Sequence, residues 1–490
     1  MSTDSDTRVI IPRTRPSCTH CQRSKKRCSR EKPQCSTCVR HGRDCVYTGN
    51  TTVIAGVVDH IPSASTSYQP PDISRSTEDN FPVVFFLDSI LFQRSLNKLP
   101  DLDPSLNDHL PKYIGHIAPD PAFIKSYFAT IHPSIPFLSR KEFRERILSP
   151  LSSRRPAHTL LIASMKLLAS PLPEQGPRCS AYYAIKSSLI EAENSGILDL
   201  RVLQAIILIA LFEIGHAIYP AAYMTVGYCV RYGSALGIHK AVEQYSEEEF
   251  SASESEERRR SWWTILLFDR RFISLGSADK PILTTDPSGN SLLPIDDATW
   301  EENRESFAPV RKLFEPPTTT MGRFSLTAQA AVLLGRVFRS IQESPIQEGF
   351  WQNDVEVLDR TIVALTKVSL EEGRFRGIGV CSPSTICYRY VITDRLMSQD
   401  FKNDIAASML RLAYAIRDAG SCAGDEITPL CIEAIYRSAV FYGKEYSRTG
   451  AYSALVSCEA IKEALALISK RWRVAASYVQ LIDARIISGI

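Results

Sequence analysis

Residues 18–45 have the sequence CTHCQRSKKRCSREKPQCSTCVRHGRDC, which contains six of the chain's 13 cysteines. The spacing C-x2-C-x6-C occurs twice with six residues between the copies, so the second half repeats the first at an offset of 17. The six residues are Cys18, Cys21, Cys28, Cys35, Cys38 and Cys45. Six thiolates are too few for two separate four-sulfur sites, but they suffice for two zinc ions if two sulfurs each bridge both metals. The spacing therefore predicts one cluster of two zinc ions with all six cysteines as ligands.

A basic run lies between the second and third cysteines, where residues 22–27 are QRSKKR. Residues 1–50 contain eleven Lys and Arg against four Asp and Glu, a formal charge of +7. Because the whole chain carries only +3, the remaining residues carry −4. This asymmetry is typical of a small head that binds a polyanion, attached to a nearly neutral body. A metal-organised basic head predicts a nucleic-acid reader.

The duplicated cysteine pattern resembles the fungal Zn(2)-Cys(6) binuclear cluster transcription factors. Lys32-Pro33 before the fourth cysteine and Val46-Tyr47 after the sixth are also similar to members of that family. The resemblance implies two bridging ligands and two further ligands for each zinc ion. The implied bridging residues are Cys18 and Cys35, the first zinc is completed by Cys21 and Cys28, and the second by Cys38 and Cys45.

The same resemblance implies how DNA is read. The family recognises short CGG-type triplets of double-stranded DNA in the major groove, through a basic residue at the end of its first helix. That position here is Lys25 or Lys26. A Lys or Arg that donates to guanine is the commonest specific base contact. The neighbouring cations would then hold phosphates, which fixes the register without reading sequence: Arg23, Arg27, Arg30 and Lys32.

The remainder of the chain predicts a large helical body. The fold class is mostly α, with a small zinc binuclear cluster DNA-binding head and a large all-helical regulatory body. The hydrophobic content of 44% is sufficient for a large buried core. The predicted divisions are a Zn(2)-Cys(6) DNA-binding domain at 14–48, a flexible linker at 49–80, a helical middle homology regulatory domain at 81–320 and a C-terminal helical part at 321–490.

Apolar periodicity and capping residues predict the individual helices. Asp404 is the predicted N-cap of one helix, and Ser253 or Ser255 caps another. Only Pro82–Phe86 has the pattern of a strand. The predicted helices are Thr159–Ser170, Ala181–Asn194, Val202–Ile218, Ala221–Leu236, Glu256–Phe272, Thr327–Ser344, Asp354–Leu370, Ile405–Ala419, Pro429–Tyr446 and Ala454–Ile487.

Part of the body resembles the regulatory middle region of the same family. We predict that Trp262 and Trp263 pack in the helical core. The basic run Arg258–Arg260 is predicted to form ion pairs with acidic residues such as Asp269. The segments that carry the resemblance are Tyr127–Leu138 with Arg140–Phe143, Arg231–Lys240, and Glu257–Trp263 with the residues that follow it to Ile282.

These observations predict a nuclear, sequence-specific transcription factor for RNA polymerase II, with DNA and the transcription machinery as partners. The resemblance loosely implies control of one metabolic pathway, often a secondary-metabolite gene cluster. The chain contains no H-E-x-x-H, G-x-S-x-G or P-loop motif, so we predict that it is not an enzyme. Met1–Pro16 lacks the apolar segment of a secretory signal, and we expect no membrane partner.

Two alternatives to DNA reading remain open from the sequence. The cysteine cluster could be a zinc-stabilised protein-interaction or thiol-sensing module that lacks sequence-specific DNA reading. The helical body could also be an enzyme that carries a vestigial head. The apolar residues between Ile54 and Ile61 are too few for a coiled coil, so a monomer and a homodimer are both compatible with the sequence.

Overall fold

The computed structural model divides into two compact units, Met1–Gln69 and Pro70–Ile490. The predicted linker at 49–80 and the predicted strand at 82–86 lie outside the described residues. The described residues are 17–45 apart from 19, 22–23, 30, 32–33 and 44, then 87–88, 91, 121–148, 156–194, 198–243, 250–273, 280–302, 310–318, 320–343, 348–375, 383, 385–386, 399–420 and 427–488.

The described part of the chain is built from helices, and its one extended pairing is an isolated bridge between Leu292 and Lys312. The predicted mostly α fold is confirmed. Short helical turns occupy Arg140–Glu142, Phe143–Ile147, Ile238–Val242 and Asp269–Ile273. The helices are α1 (Ser36–Arg40), α2 (Pro121–Thr130), α3 (Pro156–Ala169), α4 (Ser180–Asn194), α5 (Leu200–Gly215), α6 (Ala221–Ala235), α7 (Ala252–Phe268), α8 (Asp297–Glu301), α9 (Arg323–Glu343), α10 (Glu348–Phe375), α11 (Gln399–Ala419), α12 (Pro429–Thr449), α13 (Tyr452–Ile468) and α14 (Val474–Ser488).

Helix α5 lies at the centre of the body. All of its residues except Arg201 are buried, as expected of a helix that is apolar around its whole circumference. The Asp199 side chain caps its N-terminus by accepting the N–H of Arg201 at 2.6 Å. At the other end, a Cβ on Gly215 would lie 2.4 Å from a ring carbon of Trp472, so this close approach requires glycine. Helices α3, α6, α7 and α12 all pack against α5.

One continuous core joins the N-terminal and C-terminal parts of the body. The same cluster of buried residues extends from Leu87 to Ala484 and therefore crosses residue 320, where the sequence analysis places a boundary. The stability of the body therefore depends on packing between helices that are distant in sequence.

Among the described helices, none combines the length and the mean hydropathy needed to cross a bilayer.

Several helix boundaries differ from the predictions, and three of the differences change a predicted cap or divide a predicted helix. The helix predicted at Ala454–Ile487 is two helices, because the chain turns at 469–473 and Trp472 packs there with its Nε1–H on the Ile427 carbonyl at 2.7 Å. Helix α11 begins at Gln399, so the predicted N-cap Asp404 lies inside it. Helix α7 begins after Ser251, whose side chain accepts the Glu254 N–H at 3.2 Å, and neither Ser253 nor Ser255 is the cap.

Helix α7 carries the predicted tryptophan and arginine cluster. Trp262 and Trp263 are both buried, which confirms their predicted place in the core. The arginines do form ion pairs, but with other partners than Asp269: Arg258 pairs with Glu254, Arg259 with Glu256, and Arg260 with Glu256 and with the distant Asp297. Asp269 instead accepts hydrogen bonds from the backbone N–H groups of Leu283 and Thr284 and from the Thr284 hydroxyl.

His216 makes the stability of the body dependent on pH. It is buried between the rings of Phe212 and Trp472, and burial, together with Arg471 and Arg473, lowers its pKa to about 3. Between about pH 6.5 and about pH 3, the histidine is protonated in the unfolded chain but neutral in the folded chain. The free energy of unfolding therefore decreases as the pH falls through this range. At about pH 5 we expect this histidine alone to lower the free energy of unfolding by about 2 kcal/mol relative to its value at about pH 7.

The measurement is urea unfolding followed by tryptophan fluorescence at about pH 7 and about pH 5. All five tryptophans lie in Pro70–Ile490, so the signal reports on the body. The variant His216→Leu should lose about 2 kcal/mol less on acidification than the unmodified chain. Equal losses in the two proteins would contradict the assignment of this pH dependence to His216.

Candidate metal centre and nucleic-acid interface

The six cysteines of the head converge into two overlapping groups of four. In each group, the sulfurs all lie within 4.8 Å of one another. Cys18 and Cys35 belong to both groups, and they are the pair that the resemblance implied as bridging ligands. The first group is Cys18, Cys21, Cys28 and Cys35, and the second is Cys18, Cys35, Cys38 and Cys45.

The sulfur–sulfur distances fit tetrahedral zinc. Four thiolates at a Zn–S distance of ~2.3 Å lie ~3.8 Å apart. The Cys18 sulfur is 3.7 Å from that of Cys35, 3.7 Å from that of Cys38 and 3.9 Å from that of Cys28. The Cys21 sulfur is 3.7 Å from that of Cys35 and 3.9 Å from that of Cys38, which belongs to the other group. The donor set of soft thiolates suits zinc, and sharing two sulfurs gives each ion four ligands.

The two shared sulfurs have equivalent hydrogen bonds. The backbone N–H of Cys21 donates to the Cys18 sulfur, and that of Cys38 donates to the Cys35 sulfur, both at 3.4 Å. The bond from Cys21 lowers the pKa of the Cys18 thiol. Burial opposes the Cys35 thiolate, but hydrogen bonds from the N–H and the thiol of Cys38 outweigh it and lower the pKa of Cys35 to about 6. A lowered pKa favours the thiolate, the form that binds metal, at these two sulfurs, whereas burial raises the pKa of the Cys21 thiol to about 12.

The backbone that follows each C-x2-C pair has the same conformation in both halves of the repeat. In each half it forms a turn that contains one residue in the left-handed conformation. The N–H of Lys26 donates to the Cys21 carbonyl, and the N–H of Arg43 donates to the Cys38 carbonyl, both at 3.0 Å. The residue before each donor has a positive φ, which is +50° at Lys25 and +61° at Gly42. Glycine adopts this conformation freely, whereas a residue with a Cβ is strained by about 1–2 kcal/mol.

Lys25 differs from its counterpart in the other half of the repeat. The repeat places glycine at the left-handed position in the second half, but the first half keeps a lysine there in spite of the strain. Strain of this kind is retained where a side chain has a role that the local fold does not explain. The sequence shows that Lys25 occupies the position of Gly42, because the two are 17 residues apart. Only the backbone angles show that this position is left-handed in both halves.

The predicted DNA contacts form an exposed basic surface, as far as they are described. Lys25, Lys26 and Arg27 are all exposed. The carbonyl of Arg27 accepts the Thr37 hydroxyl at 3.0 Å, so α1 of the second half supports this turn of the first half. The other predicted contacts, Arg23, Arg30 and Lys32, lie outside the described residues.

Arg43 is a basic residue of the head that the sequence analysis did not single out. The exposed Arg43 directly follows Gly42 and lies with its Nη1 3.2 Å from the Nε2 of His20. This contact joins the two halves of the repeat on the surface. The sequence shows only that Arg43 is basic, since no local pattern pairs residues 20 and 43.

Comparisons with known proteins identify two regions of the chain. The model of the fungal Zn(2)-Cys(6) binuclear cluster domain matches residues 16–52. The model of the fungal specific transcription factor domain matches residues 124–344. The first match contains all six clustered cysteines, and the second contains α3 to α9 and most of α2.

Several curated proteins are similar to part of the chain. "Transcription factor BOA15" of Botryotinia fuckeliana is 39% identical over 116 residues, which are 24% of this chain and 65% of that protein. "Transcription factor tazR" of Aspergillus terreus is 30% identical over 156 residues, 30% of this chain and 24% of that protein. "C6 finger domain transcription factor adaR" of Aspergillus niger is 28% identical over 153 residues, 31% of this chain and 18% of that protein. The chain therefore spans less than two thirds of the length of each.

Proposed function

The chain belongs to the fungal Zn(2)-Cys(6) binuclear cluster transcription factors, and we propose that its head reads CGG-like triplets in double-stranded DNA. Members of this family bind two zinc ions and DNA and regulate transcription. In this chain we assign the zinc ligands to the six clustered cysteines, with Cys18 and Cys35 bridging. Lys25 contacts guanine, and the surrounding basic residues hold phosphates: Arg23, Lys26, Arg27, Arg30 and Lys32.

The observation that carries the proposal is the exposed basic turn built directly on the cysteine cluster. Lys25 is strained at a position where the repeat has glycine, and its side chain is exposed beside Lys26. Because the turn on the cluster already fixes the backbone of this lysine, contact with a base edge orders only its side chain. The zinc ions would supply structural stability, since a head with so small a core depends on metal binding for its folding.

The wider role follows the family. We propose a nuclear, pathway-specific regulator that acts with the RNA polymerase II machinery, and a secondary-metabolite gene cluster is the target class that we would examine first. In this proposal residues 14–48 bind DNA, 49–80 link the head to the body, and 81–320 and 321–490 form the regulatory body. The body would act without catalysis, and the chain would bind DNA as a monomer or a homodimer.

The proposal can be tested by fluorescence anisotropy of the full chain on a CGG-containing duplex and a scrambled duplex. Titrations at two salt concentrations measure the contribution of phosphate contacts, and titrations with and without a zinc chelator measure the contribution of the metal. We expect tighter binding to the CGG duplex, weaker binding at high salt because phosphate contacts release counterions, and loss of binding on chelation. Equal, weak binding to both duplexes that the chelator leaves unchanged would favour a protein-interaction or thiol-sensing module instead.

Replacing Lys25 should affect base reading rather than the fold of the head. We expect Lys25→Ala to weaken binding to the CGG duplex by about 1–3 kcal/mol and to relax the preference over the scrambled duplex. Lys25→Gly is the more informative variant, because glycine removes the side chain and also relieves the strain at φ +50°. It should retain two zinc ions per chain and still lose selectivity, as measured by metal analysis and anisotropy.

Arg27→Ala is the matched control for a phosphate contact. It should weaken binding to both duplexes by a similar factor and reduce the salt dependence. If Lys25→Ala behaved in the same way as Arg27→Ala, Lys25 would be a phosphate contact and Lys26 would become the reader.

A further inference from the structure

A cleft in the body lies between α9, α10 and the segment 313–317. Its cavity volume is about 280 Å³. Val332 of α9 and Leu365 of α10 are buried in its wall, Pro316 and Pro317 form another side, and Phe314 lies at the mouth with 58% of its surface exposed. A cavity of about 150 Å³ with apolar walls can hold benzene. The larger cleft is therefore suited to a bicyclic apolar molecule.

One polar side chain in the wall has an unused acceptor. Gln329 of α9 lines the cleft and is only 6% exposed. Its Nε2 donates to the carbonyls of Leu313 and Glu315, both at 2.9 Å. Because carbonyls only accept, these two bonds fix the orientation of the amide. The Oε1 is buried and has no hydrogen-bond partner. A buried acceptor of this kind is costly unless a donor reaches it.

The charges at the mouth of the cleft favour neither sign. The guanidinium of Arg336 lies 4.6 Å from the centre of the Phe314 ring, where a cation–π contact holds the ring in place. Glu315 lies on the same rim and is paired with Arg311 at 3.3 Å. Because both charged groups already have partners, apolar contact and one hydrogen bond are left as the recognition elements for a ligand.

We propose that this cleft binds a small neutral molecule with an aromatic or alicyclic body and one hydroxyl or N–H group that donates to Gln329 Oε1. The site is separate from the DNA-reading head and does not depend on the proposed function. Its walls are two helices of the body and the segment that precedes them. A ligand in the cleft therefore stabilises one arrangement of α9 and α10, which gives the body a means of sensing a metabolite of this class.

A matched pair of probes tests the proposal without altering the protein. In calorimetric titration of the full chain, 2-naphthol supplies the bicyclic body and the donor, and 2-methoxynaphthalene supplies the body alone. We expect 2-naphthol to bind at least about tenfold more tightly, because the ether leaves the Gln329 acceptor unpaired. Absence of measurable binding by 2-naphthol would overturn the proposal, and equal affinities would overturn the assigned role of Gln329.

Two tryptophan substitutions on α10 then locate the binding site. Thr361 lines the cleft and is exposed, so Thr361→Trp should fill the cleft and abolish binding of 2-naphthol. Ala364 is also exposed on α10 but does not line the cleft, and Ala364→Trp should leave the affinity unchanged. Binding that survives Thr361→Trp with unchanged affinity would place the probe elsewhere and refute the proposed site.

Discussion

Replacing Cys35 with alanine is expected to release both zinc ions and to abolish DNA binding. Cys35 is fully buried and belongs to both groups of four sulfurs, so its loss leaves each zinc ion with three protein ligands. The loss also removes the sulfur that accepts the Cys38 N–H. Because metal binding supplies most of the folding free energy of such a head, the basic turn should lose its structure as well. Metal analysis of the purified chain and anisotropy on the CGG duplex measure the two effects.

Cys179→Ala is the matched control. Cys179 is a buried cysteine of the body, and it belongs to neither sulfur group. This variant should keep two zinc ions per chain and unchanged affinity for the duplex. If Cys35→Ala instead retained two zinc ions and selective binding, the bridging assignment would be wrong, and the cluster would need a different arrangement of ligands.

The metal centre could be predicted from the sequence because its information is local. The spacing of six cysteines limits which sulfurs can surround one ion, and the duplication at an offset of 17 makes the two halves equivalent. The structure adds the backbone conformation, which the spacing of the cysteines does not determine. The backbone angles of Lys25 and Gly42 show that one half of the repeat is strained, and only the folded backbone reveals that difference.

The helical body could be predicted only as a class. Periodicity identified most of the helices, because burial of one face leaves a pattern in a single segment. It could not separate α13 from α14, since both are apolar and the break between them depends on Trp472 packing against α5 and the Ile427 carbonyl. The cleft at Gln329 was also beyond prediction, because its walls come from three segments whose proximity is set by tertiary packing.

The basic run of α7 shows how strongly tertiary context decides the role of a charged residue. Adjacent arginines look equivalent in the sequence, yet Arg260 is fully buried, and Arg258 keeps 15% of its side chain exposed. Arg260 donates from Nε to Glu256 at 2.7 Å, from Nη1 to Asp297 and the Pro136 carbonyl, and from Nη2 to the Ile295 carbonyl. Its bonds therefore hold two separate segments, one at Pro136 and one at 295–297, against α7.

We expect Arg260→Met to destabilise the body by about 3–5 kcal/mol, because it removes one cation from a buried ion-pair network and leaves Arg259 as the remaining partner of Glu256. Methionine approximately fills the volume of the arginine side chain. The loss of stability therefore arises from the polar groups left without partners rather than from a large cavity. Glu256 is only 2% exposed and would lose one cation, while two buried carbonyls would lose their donors. Urea unfolding followed by tryptophan fluorescence measures the change in the free energy of unfolding.

Arg258→Met separates this effect from a general loss of positive charge on α7. Its partner Glu254 is 30% exposed, so water can replace the ion pair, and we expect a cost of about 1 kcal/mol or less. A cost for Arg260→Met no larger than that for Arg258→Met would mean that the buried network contributes little net stability. The larger cost would identify Arg260 as the residue that joins α7 to the Pro136 and Ile295 segments, since those segments share few other polar contacts with this face of the helix among the described hydrogen bonds.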